Sequence, residues 1–134
     1  WAYRVSPKHL RPCNVRGAFW KLARLGVKGY SFWTYIDASP DPWDPYDMVR
    51  HDYHVVYPGN PRELIPSKRW EAWREGVEDY TLLWMLKKKF NKRDIPKSVE
   101  FALEKCEDID AESNASEIRE CRLRILRELN KYSN

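Results

Sequence analysis

The 134-residue sequence is poor in cysteine. Cys13, Cys106 and Cys121 are an odd number, and their spacing matches no metal-binding motif. This pattern excludes the disulfide framework that holds many small secreted domains together. A single bridge between Cys106 and Cys121 stays open, because no sequence feature argues for it or against it.

Long apolar runs, a signal peptide and clustered glycines are also absent from the sequence. No segment is apolar for long enough to span a bilayer, so no membrane partner is expected. The five glycines are scattered, and neither a phosphate-binding loop nor a G-x-S-x-G nucleophile motif is present. The chain opens at Trp1, on a segment with strand character, which predicts that it is a piece of a longer protein.

Charge of one sign does not dominate any large part of the chain. The net charge is +4 with an isoelectric point near 9.0, but the basic residues are interleaved with acidic ones. The one basic cluster, 86–93, falls at a predicted helix end, where cations interact favourably with the last carbonyl groups. Cations and aromatic residues do not alternate along one face, so no nucleic-acid partner is predicted.

Aromatic residues are what the sequence has in excess, with seven tryptophans and eight tyrosines. Such rings serve as core anchors or as ligand-stacking platforms, and composition alone leaves both uses open. Hydrophobic residues make up 43% and charged residues 33%, which is typical of one globular domain that can bury a core.

The first third of the chain has the pattern of a strand, a helix and a second strand. Trp1–Val5 is a short aromatic and β-branched run, and 14–25 carries apolar residues at helical spacing, closed by Gly26. Val27–Asp37 is typical of a buried strand. A βαβ unit of this length predicts that the two strands are parallel.

A long connection and three helices are predicted to follow. The segment 38–66 is rich in proline and aspartate, and its aromatic residues favour an ordered, functional loop. Further helices are predicted at 96–107 and 116–132. A longer helix is predicted between the loop and these two helices. It begins after Ser67, a candidate N-cap, and runs to Phe90. Arg74 and Glu78 are predicted to form an ion pair on it. Its predicted apolar stripe is Trp70, Trp73, Val77, Tyr80 and Trp84.

Four segments together resemble one enzyme family. "WAYRVSP", "RGAFWKLARLGVKGYSFWTYID", "VVYPG" and "SKRWEAWREGVEDYTLL" occur in an order similar to the C-terminal part of the catalytic domain in glycoside hydrolase family 123 and its uncharacterised relatives. The last segment resembles the terminal signature of that group. The signature positions here are Ser67, Arg69, Glu71, Arg74, Gly76, Glu78, Asp79 and Tyr80.

The resemblance implies an α/β fold, the C-terminal segment of a (β/α)₈ TIM-type barrel. Residues 1–90 would supply about two parallel strands with their helices and a long loop, and 91–134 a helical tail packed on the barrel. Characterised members are retaining β-N-acetylgalactosaminidases in which the substrate's acetamido group is the nucleophile, without a cofactor. Their catalytic Asp-Glu pair lies on an earlier strand, so this chain alone is expected to be inactive. The resemblance favours an extracytoplasmic or secreted location.

Function in such barrels gathers at the C-terminal ends of strands and in the loops that follow. Trp33 is a candidate sugar-stacking floor, with a place in the barrel core as the alternative. The carbohydrate-binding candidates implied by the resemblance are Trp33, Tyr35, Asp37, Trp43, Tyr46 and Tyr3. For Asp37 the alternative is turn formation, and for Trp43 and Tyr46 it is pinning of the loop to the barrel.

Two further interpretations weigh the charged segments. The acidic and histidine-containing segment 41–54 has no calcium-loop spacing, so no metal site is predicted. In the helix after the last strand, Glu78 and Asp79 lie about 15 Å beyond the N-terminal end, too far for catalysis. Arg69 and Glu71 either touch substrate or hold the loop, and the signature as a whole is expected to dock the helix. A non-catalytic carbohydrate-binding or helical interaction module is the alternative function.

Overall fold

A computed structural model of the chain describes residues 1–4, 10–37, 41–44, 54–61, 63–90 and 94–133. Two small sheets and a layer of helices lie within these ranges. In chain order the elements are β1 (Ala2–Arg4), α1 (Pro12–Arg24), β2 (Tyr30–Phe32), β3 (Val56–Pro58), β4 (Leu64–Pro66), α2 (Lys68–Lys89), α3 (Lys97–Glu104) and α4 (Ala115–Lys131).

The βαβ prediction is confirmed, since β1 and β2 pair in parallel and α1 connects them in the chain. Ala2 pairs with Tyr30 and Arg4 with Phe32, and the ladder continues where the Trp33 amide donates to the Arg4 carbonyl at 3.1 Å. The sequence predicts a strand that reaches Asp37, whereas β2 ends at Phe32. Beyond Phe32 the backbone also bonds to another part of the chain, since the Tyr35 carbonyl accepts from the Val55 amide at 3.1 Å.

Helix α1 ends as the sequence predicts, at Gly26. This residue has a φ of 67°, in the left-handed region that suits glycine. The Val27 amide donates to the Leu22 carbonyl at 3.0 Å, which is the six-to-one bond of a Schellman motif. The turn directs the chain from α1 into β2.

The prediction that 38–66 has no secondary structure is wrong at its C-terminal end. There β3 and β4 form an antiparallel hairpin that pairs Val56 with Pro66 and Pro58 with Leu64. The Gly59 amide closes its turn by donating to the Glu63 carbonyl at 3.0 Å. Prolines hide these strands from a pattern-based prediction, although proline is tolerated at strand ends and on edges.

Helix α2 begins where predicted, with the Ser67 hydroxyl accepting from the Arg69 and Trp70 amides at 3.2 Å each. The predicted stripe is only partly the buried face, because Val77 is 48% and Trp84 51% exposed. The buried residues of α2 are Arg69, Ala72, Trp73, Gly76, Asp79, Leu83 and Leu86. Small and polar residues define this face, and a count of apolar side chains overlooks them.

Gly76 lets α2 approach α1 closely. A β-carbon there would overlap the Phe19 ring, so only glycine fits the contact. Trp73, one turn earlier on the same face, meets Phe19 edge-on at 5.0 Å and stacks on Tyr30 at 4.6 Å. Phe32 packs against the same indole at 4.6 Å. This aromatic cluster covers one face of the β1–β2 sheet with α1 and α2.

Asp79 connects three helices from a fully buried position, with 0% of its surface exposed. Arg16 on α1 donates to its carboxylate through Nε at 2.6 Å and through Nη2 at 3.1 Å. The Trp20 indole adds a bond at 3.0 Å, and Arg122 on α4 adds one at 2.7 Å. A buried carboxylate is tolerated only when it is paired in this way.

The predicted tail helices are confirmed, with α3 three residues shorter at its C-terminal end than expected. Asn114 and Glu117 form a capping box that starts α4. The tail shares a core with α1 and α2, made of Trp20, Leu83, Leu86, Val99, Cys106, Ile109, Ile118, Cys121 and Ile125. Within the described residues, no helix combines the length and apolarity needed to cross a bilayer.

Replacement of Asp79 by asparagine tests the three-helix connection. Asp79→Asn keeps the size of the side chain but removes its charge from two arginines, so we expect unfolding free energy to fall by about 3 kcal/mol. Urea denaturation followed by circular dichroism measures the loss. The matched control is Glu75→Gln, because Glu75 bonds the same Arg16 from an exposed position and should cost below about 1 kcal/mol. Equal losses for the two variants would contradict the assigned role of Asp79.

Gly76→Ala tests the close approach of α1 and α2. Alanine in an exposed helix stabilises by up to about 1 kcal/mol, whereas here its methyl group would overlap Phe19 and cost about 1–3 kcal/mol. A double-mutant cycle with Phe19→Leu isolates the contact. We expect Phe19→Leu to offset part of the loss in the Gly76→Ala background. Strictly additive effects would show that the strain lies elsewhere.

Candidate functional site

The β1–β2 sheet has one covered face and one exposed face. Tyr30 and Phe32 point toward the helices. Because side chains alternate along a strand and Tyr3 pairs with Ser31, the opposite face carries Tyr3, Ser31 and Trp33. Tyr3 and Trp33 are each 58% exposed. We call Tyr3, Ser31 and Trp33 the open face.

Trp33 and Asp37, both predicted to bind sugar, are brought together at the end of β2. The Trp33 indole Nε1 donates to Asp37 Oδ2 at 3.1 Å. Between them, the Thr34 hydroxyl donates to the Ile36 carbonyl at 3.0 Å and tightens the turn. The carboxylate therefore fixes the orientation of an exposed indole ring beside the open face.

Tyr35, also predicted to bind sugar, contacts α2 and the residue before β3. Its ring meets Trp70 edge-on at 5.3 Å, and its carbonyl accepts from the Val55 amide at 3.1 Å. These contacts tie the segment after β2 to the start of α2 and to the residue before β3. Tyr35 keeps 40% of its surface exposed.

Trp43 stacks on Tyr57 of the hairpin, with the ring centroids 4.5 Å apart and an angle of 17° between the planes. Its amide donates to Asp41 Oδ1 at 2.8 Å, a local turn that positions the indole. The contact pins this part of the connection to β3, while Trp43 remains 55% exposed. Tyr46, the other predicted stacking residue of this segment, lies outside the described residues.

The N-terminal part of the signature secures the hairpin. Arg69 is buried and donates to the His54 carbonyl, and the Ser67 amide donates to the Val55 carbonyl at 3.2 Å. Glu71 and Arg74 form an exposed ion pair at 2.6 Å. Arg69 is thus committed to backbone that precedes β3, at the start of α2.

The C-terminal part of the signature connects α2 with its neighbours. The predicted ion pair between Arg74 and Glu78 is wrong. Glu78 pairs instead with Arg122 of the neighbouring helix α4 at 2.8 Å. Arg74 pairs with Glu71, one turn earlier on α2. The Tyr80 hydroxyl donates to the Val27 carbonyl at 2.9 Å, where the chain enters β2. With Gly76 against Phe19 and Asp79 at the centre of the three helices, these side chains hold elements together.

Several residues that matter to the geometry escape a reading of the sequence. The pattern contains no sign that Arg16, Trp20 and Arg122 all converge on Asp79, although Arg16 and Trp20 are one helical turn apart on α1. Tyr57, which supports Trp43, counts in the sequence only as one of the aromatic residues of the 38–66 segment. Among the ranges that the structure describes, no three His, Cys, Asp or Glu side chains are placed to hold a metal ion.

The arrangement at the end of β2 combines an oriented indole, a carboxylate and neighbouring tyrosine rings. Comparison of the chain with protein-family models, curated proteins and solved structures gave no match. The function is therefore argued from this geometry and from the signature residues.

Proposed function

We propose that the chain is the C-terminal segment of a glycosidase-like (β/α)₈ barrel and that it binds carbohydrate at the C-terminal end of β2, at the edge of the open face. The observation that carries the proposal is the exposed Trp33 ring, oriented by Asp37 on the sheet face that the helices leave uncovered. In a (β/α)₈ barrel, helices cover the outer face of the strands, and ligands bind at the C-terminal strand ends. Trp33 follows the C-terminal end of β2.

The chemistry of this corner suits a sugar ring. The C–H groups of a pyranose stack on an indole face, which is large, flat and apolar. A carboxylate has about four lone-pair positions, so Asp37 can orient the indole and also accept a bond from a sugar hydroxyl. Tyr3 and Tyr35 border the same area with hydroxyl groups that donate or accept.

The resemblance to glycoside hydrolase family 123 extends the proposal to the parent protein. The parent would be a retaining, substrate-assisted β-N-acetylgalactosaminidase whose Asp-Glu pair comes from an earlier strand. The parallel β1–α1–β2 unit with helices on one face is compatible with a place in such a barrel. The remaining strands would pair with the β1–β2 sheet, and the parent chain would supply them.

A non-catalytic carbohydrate-binding role is the second candidate. It is compatible with the ion pairs of α2, where the adjacent acids Glu78 and Asp79 are both engaged by arginines and Asp79 is fully buried. Neither carboxylate is positioned to transfer a proton to a ligand on the open face. The described part of the chain thus supports binding more directly than hydrolysis.

Trp33→Ala tests the sugar-stacking role. We expect the chain to bind methyl N-acetyl-β-galactosaminide, and the variant to bind it at least about fivefold more weakly, since loss of ring stacking costs about 1 kcal/mol. Saturation-transfer and titration NMR measure both affinities. The matched control is Trp84→Ala, because Trp84 is similarly exposed on α2 but remote in sequence from the strand ends. Equal weakening by the two substitutions, or absence of binding, would contradict the proposal.

The 134-residue chain alone should not hydrolyse a chromogenic β-N-acetylgalactosaminide. The reason is that Glu78 and Asp79, its adjacent acids in α2, are tied into ion pairs with Arg122 and Arg16. Release of nitrophenolate, compared with the rate in buffer, is the measurement. Turnover that disappears in Glu78→Gln would reassign the acid catalyst to this chain.

A further inference from the structure

Cys106 and Cys121 form a pair of adjacent buried thiols. Cys106 follows α3, Cys121 lies on α4, and both belong to the core that the tail shares with α1 and α2. The Cys121 sulfur donates to the Lys105 carbonyl at 3.5 Å, and that carbonyl belongs to the peptide bond preceding Cys106, so the two cysteines lie next to each other.

A surface depression reaches Cys121. It has a volume of about 350 Å³, and Cys121 lines it together with Lys105 and Arg124. Ser113 and Glu120 lie on its walls. A small oxidant can therefore approach Cys121 from solvent, although the thiol itself is almost fully buried.

The two thiols differ in acidity because one donates to the other. The hydrogen bond from Cys106 lowers the pKa of Cys121, and the nearby Arg124 lowers it further, against the opposing effects of burial, Glu120 and Glu117. The same hydrogen bond and burial raise the pKa of Cys106. Cys121 lines the depression, and the thiolate is the reactive species, so Cys121 is the nucleophile of the pair and Cys106 the resolving thiol.

We propose that Cys106 and Cys121 are a redox site that peroxide converts into a reversible disulfide. In the first step the Cys121 thiolate attacks one peroxide oxygen, which forms Cys121 sulfenic acid and releases hydroxide. In the second step the Cys106 sulfur attacks the sulfenic sulfur, and its proton leaves with the departing hydroxyl as water. The two thiols lose two electrons, and one hydrogen peroxide is reduced to two waters.

The bridge would fasten the end of α3 to α4. The bond closes the 106–121 segment, which contains the capping box that starts α4. Closure of a loop of this length restricts the unfolded chain and stabilises the folded one. The oxidised tail would thus be held more firmly against α1 and α2 than the reduced tail.

Peroxide treatment followed by peptide mapping tests the site. The folded 134-residue chain is treated with hydrogen peroxide, its remaining thiols are alkylated, and the digest is analysed without reductant. We expect a peptide pair cross-linked through Cys106 and Cys121, lost on addition of dithiothreitol, with Cys13 alkylated. The melting temperature should rise by about 5–10 °C on oxidation and return on reduction.

Three variants separate this site from unspecific oxidation. Cys13→Ser should form the same bridge, whereas Cys106→Ser should stop at Cys121 sulfenic acid, trapped by dimedone. Cys121→Ser should leave Cys106 reduced, because the nucleophile is missing. A chain that stays fully reduced, that cross-links only after unfolding in urea, or that oxidises instead through Cys13 into dimers would overturn the proposal.

Discussion

The Asp79 carboxylate is the interaction on which the arrangement of the helices depends. It is fully buried, and its partners come from α1 and α4, so α2 must lie between these helices in one rotation about its axis. A different rotation would leave the charge without Arg16 and Arg122, a loss of several kcal/mol. Gly76 sits on the same face one turn away, where its lack of a side chain allows the contact with Phe19. Charge and close packing therefore select the same orientation.

That orientation decides which surface of the sheet remains available. With α2 docked through Asp79, Trp73 reaches the rings of Tyr30 and Phe32 and covers one face of the β1–β2 pair. Parallel sheets are normally covered on both faces. Because α1 and α2 pack on the other face, Tyr3 and Trp33 remain exposed. They provide the aromatic surface on which the carbohydrate proposal rests.

The sequence predicts much of the local structure and less of the packing. Caps and periodicity locate α1, α2 and α4 to within two residues at either end, and the βαβ spacing gives the parallel pairing. The buried face of α2 escapes prediction in part, because Arg69, Gly76 and Asp79 belong to it and none of them is a large apolar residue. Proline at strand ends hides the hairpin. The site is predicted in part: Trp33 and Asp37 are joined by a hydrogen bond, whereas the contact of Tyr35 with Trp70 depends on long-range packing.

The carboxylates of this chain differ in their burial and in their hydrogen-bond partners. Asp79 accepts bonds from two arginines and one indole in a buried site, so its lone pairs are committed to the fold. Glu78 accepts a bond from Arg122 of α4, the arginine that also bonds Asp79. Asp37 instead accepts a bond from an exposed indole just past a strand end. The signature is acidic in appearance, yet its Glu78 and Asp79 bind arginines of α1 and α4. Under the carbohydrate proposal the sugar would lie at Trp33 and Asp37, while Ser67 and Arg69 secure the neighbouring hairpin.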